Sequence, residues 1–225
     1  ADWDGDGDLD LLVGNYGGNV KYFERLSNTT FVLREGAAAD PFHALDVGTA
    51  AVPFAADWDG DGDLDLLVGN YGGNVKYFER LSNTTFVLRE GAAADPFHAL
   101  DVGLHAAPCA ADWDGDGDLD LIVGNLAGHV KYFERLSSTT LVLREGVAAD
   151  PFHALDVGMR AAPFAADMDG DGDLDLIVGN LAGHVKYFER LSSTTLVLRE
   201  GVAADPFHAL DVGMRAAPFA VDWDD

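Results

Sequence analysis

The chain repeats itself every 55 residues, and this period constrains its fold more than any other feature. Trp3, Trp58, Trp113, Met168 and Trp223 are successive copies of one position. Internal periods of this length are typical of propellers, solenoids and arrays, in which each unit buries its hydrophobic face against its neighbours. The repeats span residues 2–56, 57–111, 112–166 and 167–221, and residues 1–225 are interpreted as one propeller domain or propeller segment.

Each unit carries four stretches with the pattern of β-strands, and none has the pattern of a capped amphipathic helix. Residues 9–13 form a short apolar run, and residues 20–26 alternate between two faces, as a half-buried strand does. Residues 30–34 are rich in β-branched and aromatic side chains, and residues 51–56 form a small apolar run after a longer link. The sequence therefore predicts an all-β fold, a β-propeller of four-stranded antiparallel blades with one blade per repeat.

The order of strands within a blade follows from their composition. Residues 51–56 are predicted to be innermost, because alanines fit near a crowded axis and Pro53 is tolerated only at a sheet edge. The chain starts after the first strand of unit one and ends with a spare copy of it in residues 216–225. We expect this closing segment to complete the first blade. Whether four blades close alone, or two chains combine their blades, stays open at this stage.

Every unit contains five aspartates in the motif Asp-x-Asp-Gly-Asp-Gly-Asp-Leu-Asp. Two like charges about 6 Å apart repel by roughly 3 kcal/mol at an effective dielectric constant near 20, so such a loop calls for a cation. The glycines allow the backbone to wrap around a point, and the aspartates offer the all-oxygen coordination that Ca²⁺ prefers. About one Ca²⁺ per repeat is predicted, with a metal-free acidic turn as the alternative. The predicted ligands, the fourth aspartate of each loop acting through its main-chain carbonyl, are Asp2, Asp4, Asp6, Asp8, Asp10, Asp57, Asp59, Asp61, Asp63, Asp65, Asp112, Asp114, Asp116, Asp118, Asp120, Asp167, Asp169, Asp171, Asp173 and Asp175.

The run D-W-D-G-D-G-D-L-D-L-L-V-G-N resembles the FG-GAP/VCBS family of propeller repeats, which is familiar from integrin α-chain heads and many secreted proteins. The resemblance covers essentially the whole chain. It implies a propeller with calcium in the loop between the first two strands of each blade, and extracellular or cell-surface binding work. Such propellers commonly have seven blades, whereas this chain supplies four, and its last copy has Asp225 where the motif has glycine.

Composition excludes several classes of partner. The formal net charge is −25, yet 20 of the 39 acidic residues lie in the four loops, and no basic stripe is available for nucleic acid. No stretch of 18 apolar residues exists, so membrane insertion is not predicted. The single cysteine, Cys109, is predicted to be a buried apolar residue, because phenylalanine stands at its equivalents.

The remaining polar residues favour binding over catalysis. The four equivalent histidines of the link are predicted to make structural hydrogen bonds: His43, His98, His153 and His208. No catalytic constellation stands apart from the metal loops, so no enzymatic activity is predicted. At the tips of the first hairpins an apolar group stands beside a polar one, which suits a sugar, although incidental surface apolarity is an equal alternative. These candidate ligand residues are Tyr16, Asn19, Tyr71, Asn74, His129 and His184, with Leu126 and Leu181 in place of the tyrosines in the last two repeats.

The sequence thus favours a non-enzymatic, calcium-stabilised extracellular binding or adhesion module that presents repeated loops to a glycan or a protein. Two alternatives remain: a purely structural propeller segment of a larger surface protein, and a propeller domain appended to an enzyme. Self-association to complete the ring is a further expectation. The sequence leaves the identity of the ligand open.

Overall fold

The computed structural model describes residues 1–146, 149–201 and 203–219, which form fifteen β-strands and no helix. Blade 1 contains β1 (Leu11–Gly14), β2 (Val20–Ser27) and β3 (Thr30–Arg34). Blade 2 contains β4 (Val52–Ala56), β5 (Asp65–Gly69), β6 (Val75–Ser82) and β7 (Thr85–Arg89). Blade 3 contains β8 (Ala107–Ala111), β9 (Asp120–Gly124), β10 (Val130–Ser137) and β11 (Thr140–Arg144). Blade 4 contains β12 (Ala162–Ala166), β13 (Asp175–Gly179), β14 (Val185–Ser192) and β15 (Thr195–Arg199).

Each sheet is an antiparallel meander whose strands lie in chain order, and the four sheets form the blades of a β-propeller. In blade 2 the register places Leu67 of β5 opposite Phe54 of β4 on one side and Tyr77 of β6 on the other. Blades 3 and 4 repeat this arrangement, and blade 1 has three strands within the described residues. The predicted all-β propeller with one blade per repeat is confirmed. Among the described residues, no helix is long and apolar enough to cross a membrane.

Burial across a blade follows the predicted strand order. Strand β4 is an edge strand of its sheet and pairs with β5 alone, where Pro53 lies opposite Val68. Proline lacks an N–H group, and an edge strand tolerates it because no second neighbouring strand requires a hydrogen bond there. Every residue of β5 is buried, as are those of β9 and β13, because both faces of the second strand pack against neighbouring structure. In the outer strand β7 every residue is exposed or half-buried, so this strand lies at the outside of the blade.

An arginine on the third strand of a blade clamps the tryptophan of the blade before it. Arg80 Nη2 donates a hydrogen bond of 2.9 Å to the carbonyl oxygen of Trp3, and its guanidinium lies over the Trp3 ring, 5.4 Å from the centroid. A cation over an aromatic face is attracted by the ring quadrupole, and more strongly where water is excluded. The same two contacts recur between Arg135 and Trp58 and between Arg190 and Trp113.

The end of each second strand lies directly against the backbone that enters the next blade. A Cβ atom at Gly69 would lie 2.8 Å from the carbonyl carbon of Ala106 and 2.8 Å from Cδ of Pro108, and closer still to the Ala106 carbonyl oxygen. Neighbouring blades therefore meet backbone to backbone at this point. The equivalent pairs are Gly14 with Ala51, Gly124 with Ala161 and Gly179 with Ala216.

Two structural interpretations of polar side chains are confirmed. Cys109 is 1% exposed within the core beside Phe164, and burial raises the pKa of its thiol to about 12. Nδ1 of His43 lies 3.0 Å from the carbonyl oxygen of Asp40, three residues earlier in the link. The same contact is made by His98, His153 and His208.

The closing segment predicted at residues 216–225 is described only in part, since residues 220–225 lie outside the described residues. The N–H of Ala216 donates a 2.9 Å hydrogen bond to the carbonyl of Asn180, as Ala51 does to Asn15, so the segment starts beside blade 4 as a further inner strand would. Residues 216–219 are not assigned to a strand, and β1 has no partner on its inner edge among the residues described. Completion of blade 1 by this segment stays a prediction.

Blade 1 exposes a face that the other blades bury. Leu11 and Val13 are 44% and 40% exposed, whereas Leu66 and Val68, the same positions in blade 2, are 0% exposed. In blade 2 these side chains are covered by the face of the preceding blade. Blade 4 carries Val185 and Tyr187 where blade 1 carries Val20 and Tyr22, so its corresponding face could cover blade 1 of another molecule.

We propose that a second copy of the chain docks on the Leu11–Val13 face. Light scattering is then expected to give a molar mass of twice 23.9 kDa, and Val13→Lys should return it to that of one chain. Leu33→Lys is the matched control, because Leu33 is 39% exposed and its equivalents in the other blades are exposed to the same degree. A single-chain mass at every concentration would contradict the proposal.

Candidate metal loops and ligand loops

The aspartate loops and the candidate ligand hairpins lie at opposite ends of each blade. In blade 2 the loop connects β4 to β5, and the hairpin around Tyr71 connects β5 to β6. Because successive strands are antiparallel, these two connections emerge at opposite ends of the strands. The propeller therefore has one aspartate face and one hairpin face.

Hydrogen bonds from the loop backbone fold each aspartate loop around its first carboxylate. The N–H groups of Gly5 and Gly7 donate to the two oxygens of Asp2, at 2.8 and 3.0 Å. Gly5 and Gly7 have φ values of 82° and 97°, a left-handed conformation that glycine adopts without steric cost. The N–H of Asp6 donates to Asp4 at 3.2 Å, which continues the wrapping. The loop shape is thus set by aspartate and glycine alternating in the sequence.

Three carboxylates of each loop come together. In blade 1 oxygen atoms of Asp2, Asp4 and Asp6 lie within 4.8 Å of one another. The corresponding groups are Asp57, Asp59 and Asp61 in blade 2, Asp112, Asp114 and Asp116 in blade 3, and Asp167, Asp169 and Asp175 in blade 4. A cluster of carboxylate oxygens on a glycine-rich loop fits Ca²⁺, which takes oxygen ligands in flexible geometry.

The fifth aspartate of each loop has a structural task that the motif alone did not indicate. Asp65 is 0% exposed, and its carboxylate accepts hydrogen bonds from the Trp58 N–H at 3.2 Å, the Tyr77 hydroxyl at 2.9 Å and the Arg80 N–H at 2.8 Å. Burial raises the pKa of Asp65 to about 6, although these hydrogen bonds favour the charged form. The same three partners surround the equivalent carboxylates of Asp10, Asp120 and Asp175.

In blades 1 to 3 the fifth aspartate lies outside the group of three carboxylates, whereas in blade 4 Asp175 belongs to it. Asp171 of blade 4 and the fourth aspartate of every loop also lie outside these groups. The fourth aspartates are Asp8, Asp63, Asp118 and Asp173. Metal ligation by the twenty aspartates stays a prediction. The second and third aspartates of every loop are exposed, and the fifth is buried and joins the loop to the core.

Electrostatics within the loop favour a bound cation. Burial is the largest cause that raises the pKa of Asp59, and the charge of Asp61 raises it further, while a hydrogen bond from the Asp61 N–H partly opposes them. The pKa of Asp4, Asp114 and Asp169 shifts in the same direction. A cation among these oxygens would stabilise the charged carboxylates and remove their mutual repulsion.

The hairpin tips differ between the two halves of the chain, as the sequence indicated. Tyr16 and Tyr71 are 73% and 41% exposed. Asn19 is half-buried, and its Nδ2 donates a 3.1 Å hydrogen bond to the carbonyl of Leu45, so this amide supports the link. Asn74 makes the equivalent bond to Leu100 at 3.4 Å. His129 and His184 are exposed, and Leu126 and Leu181 are half-buried.

Sequence reasoning missed one group of residues on the hairpin face. His105 is buried beside Arg160, whose Nη2 contacts His105 Nε2, and the two residues occupy the same position in successive repeats. The signal was present in the sequence, because this position changes from Ala50 to His105 to Arg160 and Arg215 in otherwise nearly identical repeats. Periodicity alone did not show that equivalent side chains would meet.

Comparison with known proteins identifies the repeat. The FG-GAP-like repeat family matches the chain at residues 2–68, 57–123 and 112–178. Cartilage acidic protein 1 of Xenopus tropicalis is 29% identical over 182 residues, which is 76% of this chain and 26% of that protein. The mouse and human proteins of the same name are each 28% identical over 178 residues, with the same coverage. The chain thus spans about a quarter of the length of these relatives.

Removal of calcium is expected to destabilise the protein. A site held at about ten times its dissociation constant contributes about 1.4 kcal/mol, so four such sites contribute nearly 6 kcal/mol. A chelator should therefore lower the melting temperature substantially, and Asp61→Ala should lower it in calcium more than in chelator.

The matched control for this measurement is Glu90→Ala, which removes one exposed negative charge outside the loops and should keep the full response to chelator. A melting temperature that does not change with chelator would contradict the assignment of the loops to calcium.

Proposed function

Because this chain belongs to the FG-GAP-like repeat family, we propose that it is a non-enzymatic, calcium-stabilised binding module that presents repeated loops to a glycan or a protein. The observation that carries the proposal is the division of each blade into two ends. Carboxylate groups recur at one end, and exposed hairpin tips recur at the other. In this proposal the end with the aspartate loops stabilises the fold, and the end with the hairpin tips binds the ligand.

Calcium has a structural role in this proposal. In blades 1 to 3 the first three aspartates of the loop would hold the ion, and in blade 4 Asp167, Asp169 and Asp175 would do so. In blade 2 the buried fifth aspartate, Asp65, links the loop to Trp58, Tyr77 and Arg80 of the blade core. Ordering of the loop would then affect the contact between blades, because the Arg80 N–H bonds to Asp65 of the loop and the Arg80 guanidinium bonds to Trp3 of the preceding blade. The metal is assigned no step in a reaction.

The hairpin face suits weak, repeated binding. An exposed tyrosine ring offers an apolar surface to one face of a sugar, and a neighbouring polar group can meet its hydroxyls. Since the tips recur around an axis, low affinity at each site would combine into avidity for a multivalent surface such as a glycan coat. The tips of blades 1 and 2 should dominate, because they carry Tyr16 and Tyr71 where blades 3 and 4 carry leucine.

Location and context complete the proposal. We place the module outside the cell, which agrees with similarity to a protein named for cartilage. Nucleic acid is not a proposed partner, because the net charge is −25. The alternatives are a structural segment of a larger surface protein and a domain appended to an enzyme. Both remain open because the relatives are about four times longer than the matched region.

Replacing both exposed tyrosines, as Tyr16→Ala with Tyr71→Ala, should abolish or weaken binding at least about tenfold on a multivalent glycan array, since each ring contributes buried apolar area. The control variant is Leu26→Ala with Leu81→Ala, two side chains 51% and 53% exposed near the opposite ends of the same blades. Binding to no glycan, or binding that the tyrosine variant leaves intact, would favour the structural alternative.

A further inference from the structure

One residue in the link before each inner strand adopts a left-handed backbone without being glycine. These residues are Ala50, His105, Arg160 and Arg215, with φ between 59° and 67°. Such conformations are uncommon outside glycine and persist only where the surrounding structure holds them. Here the N–H of each residue donates to a hairpin-tip carbonyl: His105 to Tyr71 at 2.8 Å, Arg160 to Leu126 at 2.9 Å, and Arg215 to Leu181 at 3.0 Å.

These positions converge on the axis at the hairpin face. His105 and Arg160 are 55 residues apart at equivalent positions of the repeat, yet Nε2 of the one contacts Nη2 of the other. Equivalent side chains of neighbouring blades can meet only where the blades approach their common axis. Arg215 has the same backbone placement on blade 4 as Arg160 has on blade 3, with its N–H bonded to Leu181, and its charge lowers the pKa of both His105 and Arg160. We therefore infer that the third copy of the position lies near the same site.

The imidazole in this site has a fixed tautomer and an unused donor. Burial, followed by the charge of Arg160, lowers the pKa of His105 to about 4, so the ring is neutral at pH 7. The Nε2 atom of His105 faces the guanidinium of Arg160, which has only donors, so Nε2 must be the hydrogen-bond acceptor. In a neutral imidazole the proton is then on Nδ1. His105 is 6% exposed, and its Nδ1 is buried with no hydrogen-bond partner among the described residues. A buried N–H group without an acceptor lowers the stability of the folded protein, so a bound acceptor at this position would be favourable.

The positive charge of the site is also uncompensated. Neither Arg160 nor Arg215 makes an ion pair with an acidic residue in the described part of the chain, although the protein carries a net charge of −25. Burial, followed by the neighbouring charge of Arg215, lowers the pKa of Arg160. The two guanidinium groups, together with the Nδ1–H of His105, which has no acceptor among the described residues, are complementary to an oxyanion.

Exposed apolar side chains directly precede the cationic residues in the chain. The residue before each of the three polar ones is a large exposed hydrophobic: Leu104 is 48% exposed, Met159 is 54% exposed and Met214 is 70% exposed. These three side chains are called the apolar rim below, since each directly precedes a residue of the site in the chain, and exposed apolar surface of this kind is hydrated only at a cost. The rim has no counterpart in blade 1, where Thr49 precedes Ala50.

We propose that the axial mouth formed by His105, Arg160 and Arg215 binds an oxyanion carried on an apolar body. The guanidinium groups and the imidazole N–H bind the oxygens, and Leu104, Met159 and Met214 contact the apolar part. This site is separate from the hairpin tips proposed for the glycan and needs no metal, so its test is independent of both.

Isothermal titration with hexyl sulfate and with inorganic sulfate tests the proposal. One hexyl sulfate is expected to bind per chain, more tightly than inorganic sulfate, and Arg160→Ala with Arg215→Ala should weaken both at least about tenfold, because charge-assisted hydrogen bonds are lost. Alanine is compatible with the backbone at this position, since the chain carries Ala50 there with a φ of 59°.

Lys76→Ala with Lys186→Ala is the matched control, because it removes the same charge from the third strands of blades 2 and 4 and should leave binding unchanged. His105→Phe keeps a ring but removes the Nδ1 donor and should weaken binding less than the arginine pair. Absence of saturable binding, or equal loss in the lysine control, would overturn the site. Equal affinity for the two probes would overturn the role of the apolar rim.

Discussion

The structure depends on a backbone contact that allows no side chain. Where the second strand of one blade ends, its glycine lies against the carbonyl that enters the next blade, as Gly69 does against Ala106. Protein interiors are close-packed, so this approach fixes the distance between blades near the axis. The arginine clamp then fixes the distance farther out, where Arg80 reaches the Trp3 carbonyl and ring. Because both contacts recur with the repeat, one interface is sufficient to specify the whole array.

The aspartate loop and the blade core are a single unit. The buried carboxylate of Asp65 accepts from the backbone of Trp58 and Arg80 and from the hydroxyl of Tyr77. Trp58 is in turn clamped by the next blade through Arg135. A loop that carries several like charges is thus connected to the contacts that hold the blades together. This connection explains why a cation in the loop would stabilise residues far from it.

Much of the fold was predictable, because β-strand periodicity is a local property. Residues 20–26 alternate between two faces, and the observed strand is Val20–Ser27; residues 30–34 match β3 (Thr30–Arg34). The innermost position of β4 followed from its alanines and Pro53. The aspartate motif likewise indicated a cluster of carboxylates, which the loops form in every blade.

The rest depends on partners that lie far apart in the sequence. The motif did not distinguish the exposed Asp61 from the buried Asp65, since only the folded blade places Tyr77 beside one of them. The contact of His105 with Arg160 arises from the curvature of the array, which periodicity does not encode. Exposure of Leu11 likewise reflects its place at the first blade and not its local sequence, which is the same in blade 2.

The most direct test of this account is the free energy of unfolding of Gly69→Ala compared with Gly72→Ala, measured by urea denaturation. Forcing a methyl group against the Ala106 carbonyl should cost about 1–3 kcal/mol. Gly72→Ala should change the free energy by less than about 0.5 kcal/mol, because a Cβ there lies 3.3 Å from its nearest neighbour, the Asn70 side chain, and the repeat already carries Ala127 and Ala182 at this position. Equal stability of the two variants would contradict the claim that blades meet backbone to backbone.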